Sequence, residues 1–203
     1  MEALNFDLQR FAIVPTLLTG EDGNGVRYWN TIPGAEVIGF GNTFFVNHRA
    51  GCVIQCSNVD SHVYNDTVAP NVVINGDGGN DYLINDGTNV KIYGNGGQDK
   101  LYNHELGKNT KIYGGADDDY IDNRADKVFI DAGTNNDYVW NNGENVDVTC
   151  GSGDDTVRNS GLRAVINGGD DEDSIRNYGF MAQHSTVATK MILLKTLPIT
   201  FQW

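Results

Sequence analysis

Six aspartates recur along the middle of the chain in glycine-rich turns, at steps of 18, 20, 18, 18 and 18 residues. A carboxylate beside glycines suits the binding of a cation. Ca²⁺ takes about 6–8 oxygen ligands from carboxylates and backbone carbonyls, and glycine allows a carbonyl to approach an ion closely. The spacing therefore predicts a series of calcium ligands, which are Asp81, Asp99, Asp119, Asp137, Asp155 and Asp173.

The aspartates belong to a longer repeat that defines the elements around them. An aliphatic residue follows each aspartate by two positions, an asparagine follows by four, and another aliphatic residue precedes it by seven. In "NVKIYG" and "DYLIN" apolar residues alternate, which indicates two short strands per unit, separated by Gly/Asn/Asp turns. A unit of about 18 residues cannot bury both strands alone, so successive units must stack. The sequence predicts an all-β fold, a right-handed parallel β-solenoid (β-roll) with coils of about 18 residues.

Stacking places equivalent residues of neighbouring coils about 4.8 Å apart. The asparagines are then expected to form a hydrogen-bonded amide ladder. The aspartates become a column of like charges, which is costly unless a cation neutralises them or their pKa values rise.

The aspartate turns, from "GDGGNDYL" (76–83) to "GGDDEDSI" (168–175), resemble the RTX (hemolysin-type) calcium-binding repeat G-G-x-G-x-D-x-U-x. The resemblance covers residues 71–178. It implies calcium held between the turns of successive coils by the aspartates and by turn carbonyls. With the resemblance, the predicted metal ligands also include Asp117 and Asp171.

Two departures from the RTX pattern limit this prediction. The other edge of each coil reads "NDGTNV" or "NRADKV" instead of a second glycine-rich turn, so calcium is expected at one edge only. Ala132 and Cys150 replace the first glycine of their turns, which predicts weaker sites there. The alternative is that these segments are ordinary turns whose Asn, Asp and Gly residues were chosen for positive φ.

The net charge and the composition exclude some classes of function. The net charge is −13, and 20 of the 27 acidic residues lie between residues 71 and 178, so nucleic acid is not an expected partner. No apolar run is long enough to span a bilayer, and the acidic N-terminus lacks the pattern of a secretory signal. Export by a classical signal peptide is therefore not expected. The RTX resemblance implies a structural protein at the cell surface or in a secreted matrix, exported by another route. Its expected partners are calcium and further copies of the chain.

No catalytic constellation is evident, so the chain is predicted not to be an enzyme. The four histidines share no spacing, and no paired carboxylate constellation for acid–base chemistry is evident. The rival interpretation is an adhesin or glycan-binding module that uses an exposed aromatic face, with Tyr82, Tyr120 and Tyr138 in one column and Tyr93 and Tyr113 in another. The same aromatics could instead fill space between strands.

Three segments are expected. Residues 1–34 are predicted to be an N-terminal cap or assembly segment, and residues 35–179 the solenoid. Residues 180–203 change abruptly in composition. This tail is interpreted either as a cap over the open end of the solenoid or as an out-of-frame translation of one further coil.

Overall fold

The computed structural model describes residues 18–22, 25–30, 32–40, 44–179 and 185–186. These residues form strands and turns, with no helix among them and hence none that could cross a membrane. Parallel strands stack into a β-solenoid of about eight turns with coils of about 18 residues, which confirms the predicted fold.

Two parallel sheets face each other across the solenoid. The first sheet contains, in spatial order, β1 (Leu18–Asp22), β2 (Gly25–Asn30), β4 (Phe44–Asn47), β6 (His62–Asn65), β8 (Tyr82–Asn85), β10 (Lys100–Asn103), β12 (Tyr120–Asn123), β14 (Tyr138–Asn141), β16 (Thr156–Asn159) and β18 (Ser174–Asn177). The second sheet contains β3 (Glu36–Phe40), β5 (Val53–Cys56), β7 (Val73–Asn75), β9 (Lys91–Gly96), β11 (Lys111–Ala116), β13 (Phe129–Thr134), β15 (Asp147–Ser152), β17 (Val165–Asp170) and β19 (Ser185–Thr186).

The repeat sets the register of both sheets. In the first sheet Leu101 lies beside Ile121 and Asn103 beside Asn123, although these pairs are 20 residues apart. The extra residues of this coil lie in the turn between β10 and β11, on the edge opposite the aspartates. The register of the aspartate turns is therefore preserved despite the unequal steps.

A narrow aliphatic core runs along the solenoid axis. Strand residues alternate between buried and partly exposed, so each strand contributes one face to the core. Ile92, Leu101, Ile112 and Ile121 are fully buried. The three cysteines are also buried and form no disulfide.

The parallel stacking extends upstream of residue 35. Strand β2 pairs in parallel with β4, with Asn30 beside Asn47, and β1 adds an antiparallel strand at that end. Residues 1–17 of the predicted cap lie outside the described residues. The same holds for residues 180–203 of the predicted tail, apart from Ser185–Thr186.

Candidate functional site

The six repeat aspartates form one buried column at an edge of the solenoid. Their side chains are between 1% and 5% exposed. One carboxylate oxygen of each, Oδ1, accepts a backbone N–H from the coil before it. The N–H of Asp81 donates to Asp99 at 2.8 Å and that of Asp99 donates to Asp119 at 2.9 Å. These bonds continue to Asp173 and hold every carboxylate in the same orientation.

The second carboxylate oxygen, Oδ2, has no hydrogen-bond partner in any of the six aspartates, although it is buried. Its surroundings are visible at the glycine five residues earlier in the chain. A Cβ added at Gly94 would collide with Oδ2 of Asp99 and lie 2.5 Å from the carbonyl oxygen of Gly114. A Cβ added at Gly76 would likewise collide with Oδ2 of Asp81 and lie 2.7 Å from the carbonyl oxygen of Gly94. Carboxylate and carbonyl oxygens therefore converge on each of these glycines.

Two coils differ at this position. Ala132 and Cys150 stand where the other coils have glycine, and both side chains are fully buried. Their side-chain atoms take up room beside Asp137 and Asp155, and those two carboxylates still lack a partner at Oδ2. Space for a ligand is therefore smaller at these two coils.

Burial raises the pKa of every aspartate in the column, because a charged carboxylate loses its hydration there. The pKa rises to about 7 for Asp81, Asp99, Asp137 and Asp155, and to about 8 for Asp119. The pKa of Asp173 is raised as well, also mainly by burial. Neighbouring carboxylates of the column add to the shift, and the N–H donors at Oδ1 oppose it. The column carboxylates are therefore fully ionised at neutral pH only if a positive charge nearby stabilises them.

Asp117 and Asp171 are exposed, unlike the buried column aspartates. Each occupies the turn position two residues before a column aspartate, where every described coil from Gly79 onward has positive φ; the φ values are 76° and 77°. Both side chains are exposed, and Oδ2 of Asp117 accepts the N–H of Gly97 at 3.1 Å. Left-handed backbone accounts for the residue type at these positions, since Asp, Asn and Gly tolerate it.

A second side-chain ladder, which the sequence reasoning missed, lies at the residue just before each column aspartate. The N–H of Asn136 donates to Asp118 at 3.0 Å, and the N–H of Asp154 donates to Asn136 at 2.8 Å. Here each coil donates to the coil before it, opposite to the column. The signal available in the sequence was the recurrence of Asp, Asn, Gln or Glu at this position. Each turn therefore donates N–H groups both to the turn of the following coil, through the column, and to that of the preceding coil, through the second ladder.

The asparagines form the predicted amide ladder on the other edge. Asn103 donates through Nδ2 to Oδ1 of Asn123 at 2.8 Å, and Asn123 donates to Asn141 at 2.7 Å. Nδ2 of Asn123 also donates to the carbonyl of Ala125 at 2.9 Å. The asparagine side chains of this ladder are buried. Each amide donates to a carbonyl of its own turn and to the asparagine of the next coil.

Aromatic rings stack along the outside of the first sheet. Centroid distances are 5.0 Å between Tyr82 and Tyr102, 5.8 Å between Tyr102 and Tyr120, and 5.4 Å between Tyr120 and Tyr138. Tyr102 thus joins a stack from a neighbouring column, which the sequence pattern did not indicate. Rings at these distances stabilise cross-strand pairs.

The column offers only oxygen atoms as ligands, which suits a hard cation. No cluster of three or more His, Cys, Asp or Glu side chains within the described residues is arranged around a metal position. A cation bound here would be held by one or two carboxylates together with backbone carbonyls. The unpartnered Oδ2 atoms and the nearby carbonyls are oxygen donors of the kind that such an ion takes, at the coils that carry glycine.

A scan of the chain against protein-family models finds no match, and searches of curated proteins and of solved structures find none either. The RTX resemblance therefore rests on the turn residues themselves.

Proposed function

We propose that this chain is a non-enzymatic, calcium-binding β-solenoid with RTX-like turns and a structural role at the cell surface or in a secreted matrix. The main support for this proposal is a set of buried carboxylate oxygens. Six consecutive coils each bury a carboxylate oxygen that has no hydrogen-bond donor. An ionised buried acceptor without a partner is costly in every coil, and a bound cation would offset this cost at neutral pH.

Calcium is the cation that these donors favour. It accepts carboxylate and carbonyl oxygens in flexible geometry, whereas Mg²⁺ requires a smaller, near-octahedral arrangement and retains its waters. The residues that would hold it are the column aspartates with the carbonyls of Gly94, Gly114 and their equivalents. Bound calcium would supply the positive charge that stabilises the ionised carboxylates. Ala132 and Cys150 would leave weaker positions beside Asp137 and Asp155.

A low ligand charge supports a location outside the cell. Sites with few carboxylates bind calcium weakly, and extracellular modules have dissociation constants of about 10⁻⁴–10⁻³ M. Calcium at such concentrations would stabilise the folded solenoid, because binding to the folded state alone adds to its stability. A solenoid that folds when it binds extracellular calcium is suited to a structural role and to end-to-end assembly with other copies of the chain.

A substitution in the column separates calcium binding from simple turn structure. Asp119→Asn keeps the Oδ1 acceptor and replaces Oδ2 by an amide NH₂, which donates to a facing carbonyl. At pH 8 with a chelator, we expect this variant to melt at a higher temperature than the wild type, because one buried charge is gone. Calorimetric titration with calcium should give fewer bound ions than for the wild type.

Asp147→Asn is the matched control, because it removes the same charge from an exposed position on β15. It should leave the calcium stoichiometry unchanged. Equal calcium binding by the wild type and Asp119→Asn would refute the proposed ligand role of the column.

A further inference from the structure

The outer surface of the first sheet changes character near its C-terminal end. On β14, β16 and β18, and at the residue after each strand, the outward positions carry no carboxylate, although the chain has 27 acidic residues. We call this surface the arginine patch and define it by Trp140, Asn142, Arg158, Ser160, Arg176 and Tyr178. Three successive strands of this sheet therefore present no carboxylate on this surface, in a chain of net charge −13.

Two arginines stand side by side in the patch. Arg158 and Arg176 are register partners on β16 and β18, so their Cα atoms are about 4.8 Å apart. Like charges directly opposite each other destabilise a sheet. In the described part of the chain neither arginine has an ion-pair partner, whereas Arg124 pairs with Asp122 and Arg163 with Glu144. Among the described residues, no carboxylate therefore neutralises this pair of arginines.

Aromatic and hydrogen-bonding groups border the arginines. Trp140 is 40% exposed and Tyr178 is 63% exposed. Trp140, Arg158 and Tyr178 line a shallow depression together with Asn142 and Ser160. The indole Nε1 of Trp140 donates to Oδ1 of Asn142 at 3.3 Å, which helps to fix the ring. The depression thus offers an apolar ring face, small polar groups and a cation.

We propose that the arginine patch binds a carboxylated sugar, such as a uronic acid within an acidic oligosaccharide. The guanidinium groups of Arg158 and Arg176 donate N–H groups to the sugar carboxylate, in the paired geometry that arginine forms with carboxylates. The indole of Trp140 packs against the C–H face of the sugar ring, and Ser160 bonds to its hydroxyls.

Charge distinguishes this ligand from other anions. A nucleic acid places closely spaced phosphates along its whole length, and the net charge of −13 would repel it beyond the patch. A sugar with one carboxylate per disaccharide meets the two arginines without that penalty. The inference is independent of calcium binding, since no column aspartate lies in the patch.

The test is calorimetric titration of the full chain with a hexasaccharide that alternates glucuronic acid and N-acetylglucosamine. The same sugar with its carboxylates reduced to alcohols is the neutral probe. We expect the acidic sugar to bind about tenfold more tightly than the neutral one, the effect of one charge-assisted contact. Arg158→Gln should weaken acidic-sugar binding by about the same factor, and Trp140→Ala should weaken the binding of both sugars.

Arg163→Gln is the matched control, because this exposed arginine already pairs with Glu144 and should leave binding unchanged. Each variant must melt at the wild-type temperature, so that lost binding is not lost folding. Titrations with calcium and with chelator should agree, which keeps this result separate from the calcium proposal. No binding, equal binding of both sugars, or equally tight binding of a polyglutamate peptide would overturn the proposal.

Discussion

At the scale of single residues, the glycine five positions before each aspartate decides how much room the buried carboxylate has. At Gly94 a hydrogen atom stands where a Cβ would meet both Asp99 and the carbonyl of Gly114. The nearby Gly96 has open space, with nothing within 4 Å of an added Cβ. Both glycines belong to β9, so alanine changes strand propensity in a similar way at each position. A difference in stability between the two alanine variants therefore reports the packing beside Gly94.

We expect Gly94→Ala to lower the free energy of unfolding by about 1–3 kcal/mol, because overpacking forces neighbouring atoms apart. Gly96→Ala should change it by less than about 1 kcal/mol. Urea denaturation of both variants measures the difference. Equal stability of the two variants would show that the space beside Asp99 is not constrained.

The amide ladder gives a second prediction at this scale. Asn123 is fully buried and donates to both Asn141 and the carbonyl of Ala125. Asn123→Ala would remove one hydrogen bond each from Asn103, Asn141 and the carbonyl of Ala125. Asn103 keeps its bond to the Gly107 carbonyl, so we expect a cost of about 1–3 kcal/mol for each buried group that loses its partner. Asn142→Ala, at an exposed position, is the control and should melt close to the wild type. A wild-type melting temperature for Asn123→Ala would contradict a stabilising role for the ladder.

At the scale of the element, each aspartate turn combines two left-handed positions with two hydrogen-bonded ladders of opposite direction. The column ladder runs from the N–H of one coil to the carboxylate of the next, and the exposed ladder runs back. The turn is thereby held rigid without any donor at Oδ2. Its carboxyl groups must then be either protonated or neutralised by a cation.

The pKa values of the column predict how stability depends on pH without calcium. The folded-state pKa values of about 7–8 lie above the ordinary value of 3.8, so the folded chain holds more protons between these limits. Stability should therefore be highest near pH 4, fall as the pH rises through about 7–8, and then level off. Asp66 and Asp126 have lowered pKa values and act in the opposite sense only below pH 4.

Melting temperatures between pH 4 and pH 9, in buffer stripped of divalent ions, measure this dependence. Saturating calcium should flatten the decline, because calcium favours the ionised carboxylates. Stability that increases with pH across this window in stripped buffer would contradict the burial of the column.

Much of this arrangement could be predicted from the sequence, because parallel stacking turns a linear period into spatial register. The steps from Asp81 onward identified the column, and the aliphatic positions identified the core. The sequence did not indicate that Asp117 and Asp171 are exposed while the column aspartates are buried, since all of them belong to the same acidic, glycine-rich turns. The sequence left the start of the solenoid open, near residue 35 or earlier, because the repeat fades there, while Asn30 still donates to Asn47 at 2.8 Å.

At the scale of the whole molecule, repetition multiplies a small local effect. Each coil contacts only its neighbours, so the stability of the solenoid sums over coils and the interfaces between them. A cost repeated in six coils, or a cation bound in several of them, therefore changes the stability of the whole rod. We therefore expect calcium to act on the folding of the entire solenoid and not on one loop.

The melting temperature of the full chain at pH 8, with millimolar calcium and with a chelator, tests this claim most directly. We expect an increase of several degrees with calcium, reversed by the chelator and not reproduced by the same concentration of magnesium. An unchanged melting temperature on adding calcium would contradict it.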